Sequence, residues 1–275
     1  MAYLSKGYEV FGYDIRPEVM THFKKHGGII VSNPGEVARL TDIILILVLN
    51  DNQVKDVLTA KNGILIGIKK GSVIICMSTI NRSSLEAMAE LCSGKGIDFV
   101  DCPFTGGPAR ITDGSLTLIA AARDEILKKV IQVLEVIGHI VHVGNVPGMG
   151  QAVKHCNQLL VGVTHAATME VITLARKTGL DPAIVSDVIA NGIAGSDYFR
   201  LLSESVLDKK PSPGGLGQMC KDVSIVVNTT RQVNMPAYVA TAASRYFSEA
   251  EAMGMYDMEG ADLIEVVEKI SGIGN

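Results

Sequence analysis

A chain of 275 residues is long enough to bury a sizeable core, and its length suits two domains or one large one. Hydrophobic residues make up 47% and charged residues 20%, a composition that excludes intrinsic disorder. The formal net charge of -4 gives no reason to expect a nucleic acid or an anionic membrane as a partner. The five cysteines are scattered without a CxxC spacing, so we expect a reducing, cytoplasmic location and no metal site.

The first half of the chain alternates short β-branched runs with stretches of helical periodicity, which predicts βαβ units and a parallel sheet. The runs predicted as strands are Tyr8–Tyr13, Ile43–Val48, Val73–Cys76, Ile97–Val100, Leu116–Ala120 and His139–Val143. The stretches predicted as helices are Pro17–Lys25, Asn50–Leu58, Ser83–Lys95 and Arg123–Ile137. The longest purely apolar run, Ile43–Leu49, is too short to span a bilayer and is typical of a strand buried on both faces.

Strand signals largely stop after Pro147, and the remainder predicts a helical domain. Pro147–Lys177 is predicted as one long helix, because proline suits a helix start and Gly179 suits its end. Further helices are predicted at 181–190, 217–233, 236–253 and 259–270, with one clear loop at Ser212–Gly217. We therefore predict an α/β domain over 1–146 and an all-helical domain over 147–275.

Asp14 ends the first predicted strand and suggests a role in nucleotide binding. In a dinucleotide-binding fold, an acidic residue at the end of the second strand accepts hydrogen bonds from the adenosine ribose hydroxyls. The alternative is a solvated residue at a strand end. A carboxylate repels a 2′-phosphate, so the ribose role favours NAD, whereas Arg16 could accommodate NADP.

The Gly-rich turn that normally precedes such an acidic residue by about 20 residues is missing, since only 13 residues stand before Asp14. Residues 1–6 resemble the end of the helix that follows that turn, with Gly7 as its terminator. We therefore expect an N-terminally truncated chain or a mis-started gene model that lacks the first strand and the phosphate loop. Two inner strands would then each lack a partner, and any targeting peptide would be lost.

The segment Asp101–Pro108 directly follows a predicted strand and contains Thr105, Gly106 and Gly107. A hydroxyl followed by two glycines offers a side-chain donor and exposed backbone N–H groups, which together suit a carboxylate. A plain turn is the alternative.

The segment Gly148–Gln158 places Lys154, Asn157 and Gln158 at i, i+3 and i+4 of the long predicted helix, hence on one face. The residues around that face are apolar: Val153, Leu159, Leu160, Val161 and Val163. We therefore expect Lys154 to be partly buried. A lysine removed from water has a lowered pKa and can exchange a proton with a substrate hydroxyl that an adjacent amide orients. The alternative is a surface lysine on an amphipathic helix.

Lys221, in a late predicted helix, is a second cation that could reach a substrate carboxylate or a cofactor. Taken alone, Lys221 and Asp222 are most often an ordinary solvated pair.

Together these segments resemble the β-hydroxyacid dehydrogenases, the family of 3-hydroxyisobutyrate, threonate and 6-phosphogluconate dehydrogenases and of tartronate semialdehyde reductase. The resemblance covers the chain from Met1 to about Ile270. It rests on D-x-P-x-T-G-G, then G-x-G-x-x-x-K-x-x-N, then K-D, in that order. It implies a doubly wound Rossmann-type domain, a long connecting helix, an all-α domain used for oligomerisation, and an active site in the cleft between the domains.

The resemblance also implies residue roles. The Thr105–Gly107 segment would bind the substrate carboxylate, Lys154 would be the general acid and base, and Asn157 or Gln158 would position the hydroxyl. Family members are usually homodimers or homotetramers, and we expect the same here.

The implied cofactor is NAD, with NADP possible. Leu49 and Asn50 stand where the family contacts the adenosine portion, and Thr79 lies in the segment beside the nicotinamide ribose. Lys221 would lie near the nicotinamide.

Two residues depart from the family pattern. Phe104 replaces a small aliphatic residue and would reshape the pocket. Gln158 stands where 3-hydroxyisobutyrate and 6-phosphogluconate dehydrogenases carry Asn, and the Lys-x-x-x-Gln pattern looks more like tartronate semialdehyde reductase or threonate dehydrogenase. We therefore expect a small polyhydroxy acid as the substrate.

Two other functions are compatible with the same pattern. An imine reductase-like enzyme shares the architecture but typically lacks the lysine on the long helix, so Lys154 disfavours it. A non-catalytic relative that binds or assembles is favoured by the missing phosphate loop and disfavoured by the retained Lys154 and Thr105.

Overall fold

The computed structural model describes residues 2–273, apart from the side chains of Pro108, Ala109 and Thr112. One compact unit ends at Lys154, and a second begins at His155. The first is an α/β unit and the second consists of helices, as the sequence predicted.

The strands of the first unit are β1 (Phe11–Gly12), β2 (Ile29–Ile30), β3 (Ile43–Ile46), β4 (Val73–Cys76), β5 (Asp98–Asp101), β6 (Phe104–Thr105), β7 (Leu116–Ala121) and β8 (Gly138–Gly144). Its helices are α1 (Ala2–Ser5), α2 (Pro17–Lys25), α3 (Pro34–Leu40), α4 (Asp51–Thr59), α5 (Ile64–Gly67), α6 (Arg82–Ser93), α7 (Gly107–Asp113) and α8 (Asp124–Leu134). The alternation of strands and helices confirms the predicted Rossmann-type class.

The strands form two sheets. The strands β1 and β2 pair in parallel, and the other six form a sheet in the order β3-β4-β5-β7-β6, with β8 also paired to β7. Within residues 2–273, no strand joins β1 to β3. Gly7, two residues after the end of α1, has a φ of 82°, the left-handed conformation expected where a helix ends.

The predicted parallel pairing is confirmed except around β5, β6 and β7, so the sheet is mixed. The strands β3, β4 and β5 are parallel, but β7 runs antiparallel to both β5 and β6. The physical reason is the connection between β6 and β7, which covers only residues 106–115. A parallel crossover needs a connection of about a dozen residues or more, usually with a full helix.

The main sheet is buried on both faces by helices. The side chains of β4 alternate between the faces, so Ile74 packs with the apolar residues of α4 and α6. Ile75 packs on the opposite face with the apolar residues of α8. All four residues of β4 are buried, which explains why this strand reads as a continuous apolar run.

The second unit contains α9 (Met149–Lys177), which begins in the first unit, followed by α10 (Pro182–Ala190), α11 (Asp197–Asp208), α12 (Leu216–Gln232), α13 (Tyr238–Ala252), a 3₁₀ turn (Gly260–Asp262) and α14 (Leu263–Ile270).

In the described part of the chain, α9 alone is long and apolar enough to cross a membrane. Half of its most apolar window is buried within the structure, and a core helix meets the same criteria, so this is weak evidence for a membrane span.

Candidate active site

The Thr105–Gly107 segment lies where β6 ends and α7 begins. The backbone φ angles of Gly106 and Gly107 are 140° and 73°, a region that favours glycine over residues with a Cβ. A Cβ on Gly106 would also lie 2.9 Å from Cδ of Arg110. The two glycines therefore allow a turn that other residues would strain, and Thr105 beside them is half-buried.

Asp101, the last residue of β5, is a fully buried carboxylate. Its Oδ2 accepts hydrogen bonds from the backbone N–H groups of Gly148, at 2.8 Å, and Gln151, at 3.1 Å. Its Oδ1 accepts a hydrogen bond from Nε2 of Gln151 at 3.0 Å. Burial raises the pKa of Asp101 to about 6, against the opposing effect of these N–H donors.

The glycines at the start of α9 make this contact possible. A Cβ on Gly150 would lie 2.9 Å from Cγ and Oδ2 of Asp101. Glycine at position 150 therefore lets the first turn of α9 lie against the carboxylate of Asp101.

Lys154 is 7% exposed, in agreement with the expected burial. It follows Gln151 by three residues on α9, so the two lie on neighbouring parts of one helical face. Two of the apolar residues around this face do not contribute to its burial. Val153 is 42% exposed and Leu160 is 66% exposed, because they point away from the buried side of α9.

The segments after β3 and β4 are joined by hydrogen bonds. The backbone N–H of Val48 donates to Oγ of Ser78 at 2.9 Å. Asn50 caps α4 through its side-chain oxygen, which accepts from the N–H of Gln53. Oε1 of Gln53 accepts from the N–H of Leu49, and Thr79 is half-buried.

These segments lie at the edge of the sheet where ligands bind in α/β proteins. In the registers of β3 with β4 and of β4 with β5, the last residues of the three strands are paired, so their carboxyl ends lie side by side at one edge of the sheet. Leu49, Asn50 and Thr79 all follow those ends. In open α/β sheets, ligands bind outside the carboxyl ends of the strands.

Asp14 follows β1, and Arg16 binds its carboxylate. Nε and the backbone N–H of Arg16 donate to Oδ1 at 3.0 and 2.9 Å, and Nη2 donates to Oδ2 at 2.9 Å. The side-chain hydrogen bond from Arg16 is the main reason why the pKa of Asp14 is lowered. A ribose at Asp14 would therefore compete with Arg16 for the carboxylate.

In the second unit, Gln158 and Lys221 both contact Asp222, which is 1% exposed, and Asn157 contacts Gln158. Nδ2 of Asn157 donates to Oε1 of Gln158 at 2.9 Å, and Nε2 of Gln158 donates to Oδ2 of Asp222 at 2.6 Å. Nζ of Lys221 lies 2.8 Å from Oδ1 of Asp222. The Lys221 side chain is 14% exposed and that of Asp222 is fully buried, so the alternative of an ordinary solvated Lys221–Asp222 pair is wrong.

His165, further along α9, belongs to the packing of the second unit. Its Nε2 lies 2.9 Å from the carbonyl oxygen of Gly260, and its Nδ1 lies 2.9 Å from the hydroxyl of Tyr198. A carbonyl only accepts, so Nε2 carries the hydrogen and Nδ1 accepts from Tyr198. Burial lowers the pKa of His165 to about 4, so the ring is neutral at pH 7.

Three residues of this geometry were not predicted as site residues: Asp101, Gln151 and Asp222. Each lies inside a recognised motif, which is the only sequence signal for them. Their roles depend on contacts between residues 47 to 73 positions apart in the chain.

Two family models match the chain. Residues 1–145 match the NAD-binding domain of 6-phosphogluconate dehydrogenase, and residues 148–267 match the "NAD-binding of NADP-dependent 3-hydroxyisobutyrate dehydrogenase". A 2-(hydroxymethyl)glutarate dehydrogenase from Eubacterium barkeri is 30% identical, over 98% of this chain and 90% of that protein. An L-threonate dehydrogenase from Cupriavidus necator is 30% identical, over 96% of this chain and 89% of that protein.

Solved structures share the fold. A 3-hydroxyisobutyrate dehydrogenase from Salmonella typhimurium has a TM-score of 0.90 at 25% identity, covering 96% of this chain and 93% of that chain. An imine reductase from Myxococcus stipitatus, solved with NAD+, has a TM-score of 0.62 at 17% identity and covers 97% and 93% of the two chains. At 17% identity, the similarity to the imine reductase shows only that the two chains share a fold.

The buried carboxylate of Asp101 generates a prediction about stability and pH. Its pKa of about 6 in the folded state exceeds the value of about 3.9 expected when unfolded. Its contribution to stability is therefore fully present below about pH 4 and is lost as the pH rises through about 6. Asp101→Asn removes this titration. The free energy of unfolding of the wild type minus that of the variant should fall by up to about 3 kcal/mol between pH 4 and 7.

Urea denaturation at several pH values measures this difference. Asp42→Asn changes an aspartate whose side chain is 72% exposed and serves as the matched control. A difference between wild type and Asp101→Asn that stays constant from pH 4 to 7 would contradict the prediction.

Proposed function

Because this chain belongs to the β-hydroxyacid dehydrogenase family and is an NAD(P)-dependent hydroxyacid dehydrogenase, we propose that it oxidises a small polyhydroxy acid with Lys154 as general acid and base. The observation that carries the proposal is the burial of Lys154 one turn after the Asp101–Gln151 contact. NAD(P), when bound, supplies the acceptor or donor of the hydride.

In the proposed mechanism, Lys154 accepts the proton of the substrate hydroxyl through Nζ during oxidation and returns it during reduction. The Thr105–Gly107 segment binds the substrate carboxylate with backbone N–H groups and the threonine hydroxyl. Asn157 or Gln158 orients the substrate hydroxyl. Lys154 is removed from water by its burial, which suits a group that exchanges a proton.

Cofactor contacts are part of the same proposal. Asp14 would bind the adenosine ribose, Leu49 and Asn50 the adenosine portion, and Thr79 and Lys221 the nicotinamide end. The proposed cofactor domain spans 1–146 and the helical domain 147–275, consistent with the two matched segments.

The substrate class is proposed from Gln158. Its amide is held between Asn157 and Asp222, so its orientation is fixed rather than free. A fixed amide can hydrogen-bond a second hydroxyl of a polyhydroxy acid. The resemblance of the sequence to an L-threonate dehydrogenase supports this substrate class.

We also propose that the protein is a homodimer or homotetramer. The helices α9 and α10 expose a set of large apolar side chains: Leu160, Leu174, Ile184 and Val188 are 63% to 67% exposed. Such apolar surface is typical of an interaction site. Multi-angle light scattering should give a mass of two or four chains, and a monomer at micromolar concentration would contradict this part.

A cytoplasmic location is proposed as well, because all five cysteines are free thiols and four of them are buried. Fractionation of the source cells tests this location, and recovery of the protein outside the cytoplasm would contradict it.

Lys154→Ala should lower kcat at least about 1000-fold, because the proton-transfer group is lost. The Kd for NAD should stay within about 3-fold, since the lysine acts in chemistry. Turnover of threonate, 3-hydroxyisobutyrate and tartronate semialdehyde is followed through NADH absorbance. Lys128→Ala, at an exposed position of α8, is the control. Near-normal turnover by Lys154→Ala, or reduction of cyclic imines without oxidation of any hydroxy acid, would overturn the proposal.

Asp14→Ala should reduce the preference for NAD over NADP, because it removes the carboxylate that repels a 2′-phosphate and frees Arg16. We expect the ratio of kcat/KM for NAD to that for NADP to fall at least about 10-fold. Arg16→Ala should move the ratio in the opposite direction. An unchanged ratio in Asp14→Ala would mean that Asp14 does not bind the ribose.

A further inference from the structure

Gln151 uses both polar atoms of its side chain to hold the backbone on either side of Thr79. Its Oε1 accepts a hydrogen bond from the N–H of Ile80 at 3.0 Å, and its Nε2 donates to the carbonyl oxygen of Ser78 at 3.0 Å. Gln151 and Ile80 are 0% exposed and Ser78 is 2% exposed. The amide of Gln151 therefore bridges the two residues that flank Thr79, and both hydrogen bonds are shielded from bulk water.

The same side chain is fixed from a second direction. Nε2 of Gln151 also donates to Oδ1 of Asp101 at 3.0 Å, and the backbone N–H of Gln151 donates to Oδ2 at 3.1 Å. A buried polar network whose members are hydrogen-bonded is rigid. Gln151 thus connects three segments of the first unit: the turn after β4, the end of β5 and the first turn of α9.

The position of Gln151 on α9 relates this connection to Lys154. Lys154 lies three residues later, about 60° around the helix and roughly 4.5 Å along its axis. Backbone hydrogen bonds make one helical turn rigid, so a shift at Gln151 moves Lys154. A misplacement of about 1 Å can cost about 100-fold in rate.

We propose that Gln151 is a positioning residue that couples the Ser78–Ile80 segment to the turn of α9 that carries Lys154. The inference rests on the proposed function, in which Thr79 contacts the cofactor and Lys154 exchanges the proton. A cofactor at Thr79 would restrict the Ser78–Ile80 backbone further, and Gln151 would transmit that restriction to the turn of α9 that carries Lys154. The energy of cofactor binding would in this way contribute to the placement of the proton-transfer group.

Gln151→Met tests the coupling, because methionine has a similar length and lacks the amide. We expect kcat to fall about 10- to 100-fold, with KM for the hydroxy acid changed less than about 3-fold. Hydrogen exchange supplies a readout that general destabilisation would not move. In the wild type, NADH should protect residues 78–80 and residues 148–154, whereas in the variant the protection should be confined to residues 78–80.

Gln132→Met makes the same chemical change at an exposed position of α8 and should behave as the wild type. If Gln151→Met fails to fold, hydrogen exchange of the wild type still decides the question. NADH that protects residues 78–80 without protecting residues 148–154 would contradict the coupling.

The outcomes separate this inference from the proposed function. Normal turnover by Lys154→Ala, or a wild type that does not bind NADH, would overturn the proposed function and the inference with it. An inactive Lys154→Ala together with a folded Gln151→Met that keeps wild-type kcat and protection of both segments would overturn the coupling alone.

Discussion

The buried carboxylate of Asp101 is the constraint on which the arrangement of the first unit depends. A charge removed from water is costly unless hydrogen bonds replace its hydration. Here the donors come from the start of α9, through Gly148 and both the backbone and the side chain of Gln151. The end of β5 and the start of α9 are therefore held together, and the glycine at position 150 leaves room for the contact. Lys154 follows directly on the same helix.

A similar interaction recurs on α9 seven residues later. Gln158 donates to the buried carboxylate of Asp222, as Gln151 donates to that of Asp101. With about 3.6 residues per turn, positions 151, 154 and 158 lie on one face of α9. Lys154 therefore stands in the sequence between two glutamines that are each fixed by a carboxylate. The backbone that carries the flexible side chain of Lys154 is therefore fixed on both sides in the sequence.

The sequence predicted the class of the fold and the chemistry of the motifs, but not the contacts that organise them. Long patterned elements such as α9 and β4 were recognised because their periodicity is strong. The strands β2 and β6 and the helices α3, α5, α7 and α11 were not predicted, and most of these are too short for periodicity to show. The direction of β7 follows from the length of its connection. Gln151 and Asp222 lay within recognised motifs, yet their partners are distant in the chain.

Binding of NADH to the 275-residue chain is the measurement that tests the central claim most directly. A fluorescence or calorimetric titration should show saturable binding at one site per chain, weakened by competition with NAD. The proposed placement of Asp14, Thr79 and Lys154 around one cofactor depends on that result. A protein that is folded by circular dichroism and gives no saturable binding up to millimolar NADH would contradict the account.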